Sequence, residues 1–207
     1  VIRAPHGGGL NAGPQHSQCL EAWFAHVPGL KVVCPSNAAD AYGLIRSAID
    51  DPDPVIVVEN KTLYAAKGQL SDDPQAVPIG EATISRPGRD VTVVTYGAMV
   101  REALAAADQL NIEGVDVEVV DLRSIQPWDE AMVLSSLART HRLVVAHEAV
   151  EAFGVGAEVV ARMADIGVDE FDAPTLRVRA SFAPSPFAKS LEAEYPPDVR
   201  DIVRSEQ

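Results

Sequence analysis

Residues 30–60 read LKVVCPSNAADAYGLIRSAIDDPDPVIVVEN, and their punctuation divides them into three pieces. LKVVCP is a short apolar run closed by Pro35, which reads as a buried strand. SNAADAYGLIRSAID opens on a capping serine, Ser36, has an acidic residue in its first turn, and carries an apolar stripe through Leu44, Ile45, Ala48 and Ile49. That pattern predicts a helix. DDPDP interrupts, and VIVVEN is a second continuous apolar run. Strand, helix and strand joined by short connections predict an α/β fold with a parallel sheet.

Towards the N-terminus, NAGPQHSQCLEAWFAHVPG (11–29) places Leu20, Ala22, Trp23, Phe24 and Val27 at helical spacing. The expected helix runs from Ser17 to His26, with Ser17 as N-cap and Glu21 in the first turn, and ends at Pro28-Gly29. Val1-Ile2-Arg3 is strand-like. Towards the C-terminus, residues 64–90 change character: Gly, Pro and acidic residues dominate, with one weak strand near 82–84. This reads as a connection between domains. Alternation then resumes as DVTVVTYG, AMVREALAAADQLN, VDVEVVDLR, WDEAMVLSSLART, RLVVAHE, GVGAEVVARMAD and TLRVRA. The expectation is a β/α unit of four strands with intervening helices, followed by a short helix in the tail PPDVRDIVRSEQ (196–207). No internal repeat interrupts it.

The chain has 207 residues, 47% of them hydrophobic, and a formal net charge of −13. That composition supports a packed globular protein. The charge argues against a nucleic-acid partner, because phosphates must be met by Lys and Arg; it suits a basic protein partner. Cys19 and Cys34 make neither a disulfide framework nor a zinc site, and their apolar neighbours point to reduced thiols in a reducing compartment, the cytoplasm or a mitochondrial matrix. No apolar run reaches the roughly 20 residues of a membrane span, so no membrane partner is expected.

Four features compete as chemistry. GVGAE (154–158) follows a strand and opens a helix, but lacks the third glycine of a dinucleotide loop, so close helix–strand packing explains it better than a flavodoxin-like nucleotide site. His147-Glu148 falls at a strand's carboxyl end, and a hydrogen-bonded imidazole at a domain or subunit contact is the preferred reading. His6, His26 and His141 sit in no motif and read as surface or satisfied core residues. Asp50, Asp51 and Asp53 follow a helix end, where free carbonyls add oxygen ligands; the turn is either solvated or a carbonyl-rich site for a large monovalent ion. His16 lies between Gln15 and Ser17, with Gln15 and Gln18 placed to fix its ring and the glycine-rich GGGLNAGP before it. A helix entrance there favours the neutral imidazole, which can exchange a proton near pH 7.

The run QHSQCLEAWFAHVPGLKVVCPSNAADAYGLIRSAIDDPDPVIVVEN closely resembles the β subunit of the thiamine-diphosphate-dependent dehydrogenase component of 2-oxo acid dehydrogenase complexes, with the pyruvate and acetoin branches nearest. PIGEA, DVTVVTYGAMV, VEVVDLRSIQPWDE, LVVAHEA, FGVGAE and DAPTLRV extend the resemblance over nearly the whole chain. It implies residues 1–70 as the second half of a pyrimidine-binding domain, 71–83 as a linker, and 84–207 as a transketolase C-terminal-type three-layer α/β domain. It implies an α2β2 assembly with an α subunit and a second β subunit, thiamine diphosphate and Mg2+ between α and β, and contact with the peripheral subunit-binding and lipoyl domains of a dihydrolipoyl acyltransferase. His16 becomes the active-site histidine that protonates lipoyl sulfur. The acidic turn becomes a potassium site with ligands from Ala48, Ile49, Asp51 and Asp53, although the family often has Asn where this chain has Asp53.

The expected activity is therefore oxidative decarboxylation of a 2-oxo acid with reductive acylation of lipoamide. An acetoin-cleaving β subunit, or a docking module without activity of its own, stands beside it. The family's cofactor-activating glutamate falls before Val1, so the chain alone is expected to be inactive. ASFAPSPFAK (180–189) departs from the family's Gly- and Pro-rich turn, which bears on partner docking.

Overall fold

The computed structural model describes residues 1–205. In chain order its elements are β1 (Ile2–His6), α1 (Glu21–Ala25), β2 (Lys31–Val33), α2 (Ala38–Asp50) and β3 (Val55–Asn60). There follow β4 (Thr83–Arg86), β5 (Val91–Thr95), α3 (Met99–Ile112), β6 (Val117–Asp121), β7 (Ser124–Gln126) and α4 (Glu130–Thr140). β8 (Leu143–Val150), α5 (Val155–Gly167), β9 (Leu176–Ala180), α6 (Lys189–Glu192) and α7 (Val199–Ser205) complete the fold.

Two sheets form, in the orders β1-β3-β2-β7 and β4-β6-β5-β8-β9. β3 is buried at every position because it lies between two parallel neighbours, β1 and β2, which explains its unbroken apolar run. In the second sheet β5, β6, β8 and β9 are parallel, and β4 adds an antiparallel edge on β6. Helices cover both faces of that sheet. α3 and α7 pack over Val93, Val119 and Val144 on one side, while Val133 and Leu137 of α4 and Val159 and Met163 of α5 fill the other. The latter cluster also takes in Val32, Ile56 and Val58 of the first sheet, so the sheets share apolar contacts.

Three local expectations need correction. The second sheet has five strands, because the weak strand near 82–84 is the edge strand β4. The expected Ser17–His26 helix begins at Glu21, with Leu20 at its N-cap position and no side-chain cap. Ser17 is instead buried with its hydroxyl unpartnered, at the end of a turn set by the left-handed backbone of Gly13. In α2, Asn37 rather than Ser36 is the cap: its Oδ1 accepts from the Asp40 amide at 2.9 Å, while the Ser36 hydroxyl donates to Asp121. The tail helix is present over Val199–Ser205; the last two residues of the expected element, Glu206 and Gln207, lie outside the described residues.

Candidate functional site: a carboxylate-pinned loop and its cavity

Residues 7–19 leave the carboxyl end of β1 and cross the ends of β1 and β3. At Gly7, φ is +84°, and an added Cβ would lie 2.4 Å from Nδ2 of Asn60, so only glycine lets the loop approach β3 this closely. The loop amides then find carboxylates from the second half of the chain. The Gly8 amide donates to Glu148 Oε1 at 2.5 Å, and those of Gly9 and Asn11 donate to Glu192 Oε1 and Oε2 at 3.0 and 2.5 Å. Asn60 Nδ2 donates to the other oxygen of Glu148 at 2.5 Å. Bonds to ionised acceptors are among the stronger ones, so these carboxylates fix the loop's path.

The loop presents His16 in an exposed turn, its amide donating to the Gly13 carbonyl at 3.3 Å. The expected clamp by Gln15 and Gln18 is not formed: both glutamines are exposed, and no hydrogen bond to the ring occurs among the described residues. The helix-entrance argument also fails, because α1 starts five residues later. Pro14, Ser17 and Gln18, around His16, line a cavity of about 560 Å³ whose other walls include Leu20, Trp23, Phe182 and Tyr195. The hydroxyls of Ser17 and Ser185 face this region buried and unpartnered. No Lys or Arg lines the cavity. It therefore fits a neutral ring or a thioester-sized apolar tail, and does not fit a diphosphate, which requires cationic or metal neutralisation.

Behind the cavity lies a buried polar group. Glu21 and His6 are only 1% and 7% exposed, and His6 Nδ1 is 3.5 Å from Glu21 Oε2. The Tyr96 hydroxyl donates to Glu21 Oε1 at 2.7 Å. Burial opposes the charge on Glu21, and its contacts with His6 and Tyr96 outweigh that, so the carboxyl sits below its ordinary range. Burial pushes the thiols of Cys19 and Cys34 and the Tyr96 phenol well up. His6, expected as a surface or satisfied core residue, is a buried one that lies beside Glu21, although its Nδ1 makes no hydrogen bond.

His147 also departs from its expected role. It is buried against Tyr96, with ring centroids 6.2 Å apart, and neither ring nitrogen has a hydrogen-bond partner. Burial holds this imidazole below its usual range, so the ring is neutral packing. Gly154 and Gly156 of GVGAE lie against the ring, where an added Cβ would come within 2.8 and 2.7 Å of it, in agreement with the packing account of that motif. His26 is exposed, and His141 caps α4 in a left-handed conformation with its Nδ1 2.9 Å from the Glu170 carbonyl.

The acidic turn lies at the opposite end of α2. Lys31 Nζ is 2.7 Å from Asp51 and 3.2 Å from Asp53, so one ammonium is shared between the two carboxylates and offsets one of their charges. The hydrogen bond from Lys31 is the main reason that the Asp51 carboxyl lies below its ordinary range. Ala48 and Ile49 belong to the last turn of α2, where carbonyls lack helical partners. Sequence reasoning missed Glu192 altogether and, at the His147-Glu148 strand end, attended to the imidazole rather than the carboxylate. Each carboxylate serves a loop more than 130 residues away, and no local pattern marks that relation.

The model of the family described as Transketolase, C-terminal domain matches residues 80–202, and that described as Transketolase, pyrimidine binding domain matches residues 1–67. The mitochondrial pyruvate dehydrogenase E1 component subunit beta-2 of Oryza sativa subsp. japonica is 46% identical over 99% of this chain and 56% of its own length. The Homo sapiens E1 subunit beta is 42% identical over 98% of the chain and 58% of its own. The Bacillus subtilis acetoin:2,6-dichlorophenolindophenol oxidoreductase subunit beta is 43% identical over 98% and 59%. The chain thus spans a little over half the length of these relatives. A solved structure titled split gene transketolase, inactive beta4 tetramer, superposes with a TM-score of 0.79 at 26% identity, covering 99% of this chain and 64% of that one.

Proposed function

This chain belongs to the transketolase C-terminal domain family, and from that membership we propose that it acts as a β subunit of a 2-oxo acid dehydrogenase, taking part in thiamine-dependent decarboxylation and reductive acylation of lipoamide. Identity of 42–46% to pyruvate dehydrogenase E1 β subunits over almost the whole chain carries this reading. We assign residues 1–70 to the latter half of a pyrimidine-binding domain, 71–83 to a linker and 84–207 to the C-terminal domain. The working assembly is α2β2, with an α subunit and a second β subunit, served by the lipoyl and peripheral subunit-binding domains of an acyltransferase. Its compartment is the cytoplasm, or the mitochondrial matrix in a eukaryotic cell.

Thiamine diphosphate, when bound, supplies the carbanion chemistry that removes CO2 from the 2-oxo acid. This chain's share is positioning and proton transfer. The cavity beside His16 accepts apolar atoms, and its lining without cationic side chains supports the reading that other subunits hold the diphosphate and Mg2+. His16 is free to turn towards an incoming lipoyl group because no hydrogen bond or ion pair among the described residues holds its ring. It delivers the proton that the lipoyl sulfur needs as its S–S bond opens. At the acidic turn, K+ would rest on the carbonyls of Ala48 and Ile49 together with main-chain or side-chain oxygens of Asp51 and Asp53. Lys31 already supplies positive charge there, so the site braces α2 without taking part in the reaction.

The test is the complex reconstituted with α subunit, cofactor and lipoyl domain. Wild-type chain supports 2-oxo acid-dependent acylation of lipoate. His16→Ala lowers that acylation by about 10²–10⁴-fold with the circular dichroism spectrum unchanged. Wild-type levels of acylation by the variant would remove His16 from the reaction. An acetoin-cleaving subunit is the second reading, favoured by the 43% identity to the Bacillus subtilis protein; it predicts turnover with acetoin in place of the 2-oxo acid. A docking module without activity predicts salt-sensitive binding to the basic acyltransferase domain and no dependence of turnover on His16.

A further inference from the structure

His6, Cys19 and Glu21 meet where β1, the loop and the start of α1 converge, and their candidate ligand atoms all lie within 4.8 Å of one another. Hydrogen bonding singles this group out. His6 Nε2 faces Cys34 Sγ at 3.9 Å, and Glu21 Oε1 accepts from the Tyr96 hydroxyl. The remaining atom of each side chain, His6 Nδ1 and Glu21 Oε2, is buried with no hydrogen-bond partner. These two atoms stand 3.5 Å apart. When Nε2 carries its proton towards the Cys34 sulfur, Nδ1 presents a lone pair to a carboxylate oxygen. In that tautomer two buried acceptors face one another, an arrangement that a cation between them satisfies.

The spacing fits a metal ion. Two nitrogen or oxygen ligands bound tetrahedrally to zinc at about 2.0–2.1 Å lie roughly 3.3 Å apart. A thiolate at about 2.3 Å would be roughly 3.6 Å from either, so the Cys19 sulfur needs to move by only about 1 Å. The outer contacts also have the form that orients metal ligands: an acceptor on the far nitrogen of the histidine and a donor on the far oxygen of the carboxylate.

We propose that His6 Nδ1, Glu21 Oε2 and Cys19 Sγ form a three-ligand site for a divalent cation of the zinc class, with the fourth position open to the cavity that Cys19 lines. Binding exchanges the Cys19 S–H bond for an S–metal bond and releases that proton to solvent. Nitrogen and sulfur ligands separate this site from one for Mg2+, which takes oxygen. It is also distinct from the acidic turn at the far end of α2.

The experiment strips the purified chain with chelator and titrates it with Co2+ alone and Zn2+ alone. One equivalent of Co2+ should produce an ultraviolet thiolate-to-cobalt charge-transfer band, and Zn2+ saturation should suppress the reaction of Cys19 with a thiol reagent. Cys19→Ser should abolish the band and weaken Zn2+ binding at least tenfold, whereas Cys34→Ser should keep the band. Glu21→Gln should weaken binding similarly, with circular dichroism reporting the fold. Absence of the band in the unmodified chain, or equal Zn2+ affinity in folded Cys19→Ser, would overturn the site. A proton shared by His6 and Glu21 would then be what occupies the gap. Should the variants fail to fold, the cobalt spectrum and the thiol protection of the unmodified chain still decide.

Discussion

Asp121 shows how one buried carboxyl becomes a pH response. It ends β6, is fully buried, and accepts from the Ser36 hydroxyl at 2.5 Å and the Arg123 amide at 3.0 Å. Burial is the largest influence and pushes the carboxyl up to about 6; Asp40 adds to this, while the two hydrogen bonds and Arg123 oppose it. The folded chain therefore holds a proton there that the unfolded chain releases near 3.8. Stability from this group is fully present below pH 3.8 and is lost as pH rises through 6, by roughly 3 kcal/mol in all. Paired carboxylates such as Asp51 and Asp198 have the opposite sign, so only a comparison isolates the residue. In urea unfolding from pH 4 to 7, Asp121→Asn should gain about 2 kcal/mol on the unmodified chain as pH rises. A stability difference independent of pH would place the folded pKa near its ordinary value.

At the scale of elements, the informative case is the loop 7–19, which holds its shape through two carboxylates without a helix or strand of its own. Replacing Glu192 by Gln removes a charge but keeps one acceptor oxygen, so the Gly9 and Asn11 amides lose one strong bond between them. Each bond to a charged group contributes about 1.5–3 kcal/mol. Amide exchange at Gly9 and Asn11 should accelerate by roughly 10–100-fold in Glu192→Gln, while exchange in β5 stays unchanged. Equal acceleration in β5 would mean that Glu192 supports the whole fold rather than the loop. The same element marks the limit of the sequence. Apolar spacing finds the α1 region because Ala22 and Phe24 do pack inward on the core. Glu21 does stand in the first turn, but the start is misplaced because Ser17 looks like a cap, whereas it is buried four residues before the helix with its hydroxyl unpartnered. β7 was missed for a related reason: three residues after a left-handed Arg123 carry no periodicity, and only pairing with β2 defines them.

For the whole molecule, the alternation of strands and helices made the α/β class and the covered second sheet legible, because β5 and β6 are buried throughout and carry valine at three of five positions each. How the two sheets meet was not legible, since it depends on which side chains face one another across the chain. Val32, Ile56 and Val58 share a core cluster with Val120, Leu122 and Leu137, and β7 pairs with β2. The Cys34 amide further donates to the Arg123 carbonyl at 2.7 Å. Neither sheet can open without exposing apolar surface of the other, so unfolding should be one cooperative event. Leu137 on α4 is fully buried in the shared cluster. Leu137→Ala should cost about 2–5 kcal/mol and lower Tm by on the order of 10 °C. Scanning calorimetry should show a single displaced peak whose van't Hoff and calorimetric enthalpies still agree. A second peak left at the original temperature would show that the first sheet is stable by itself, and that the shared cluster does not couple the two halves.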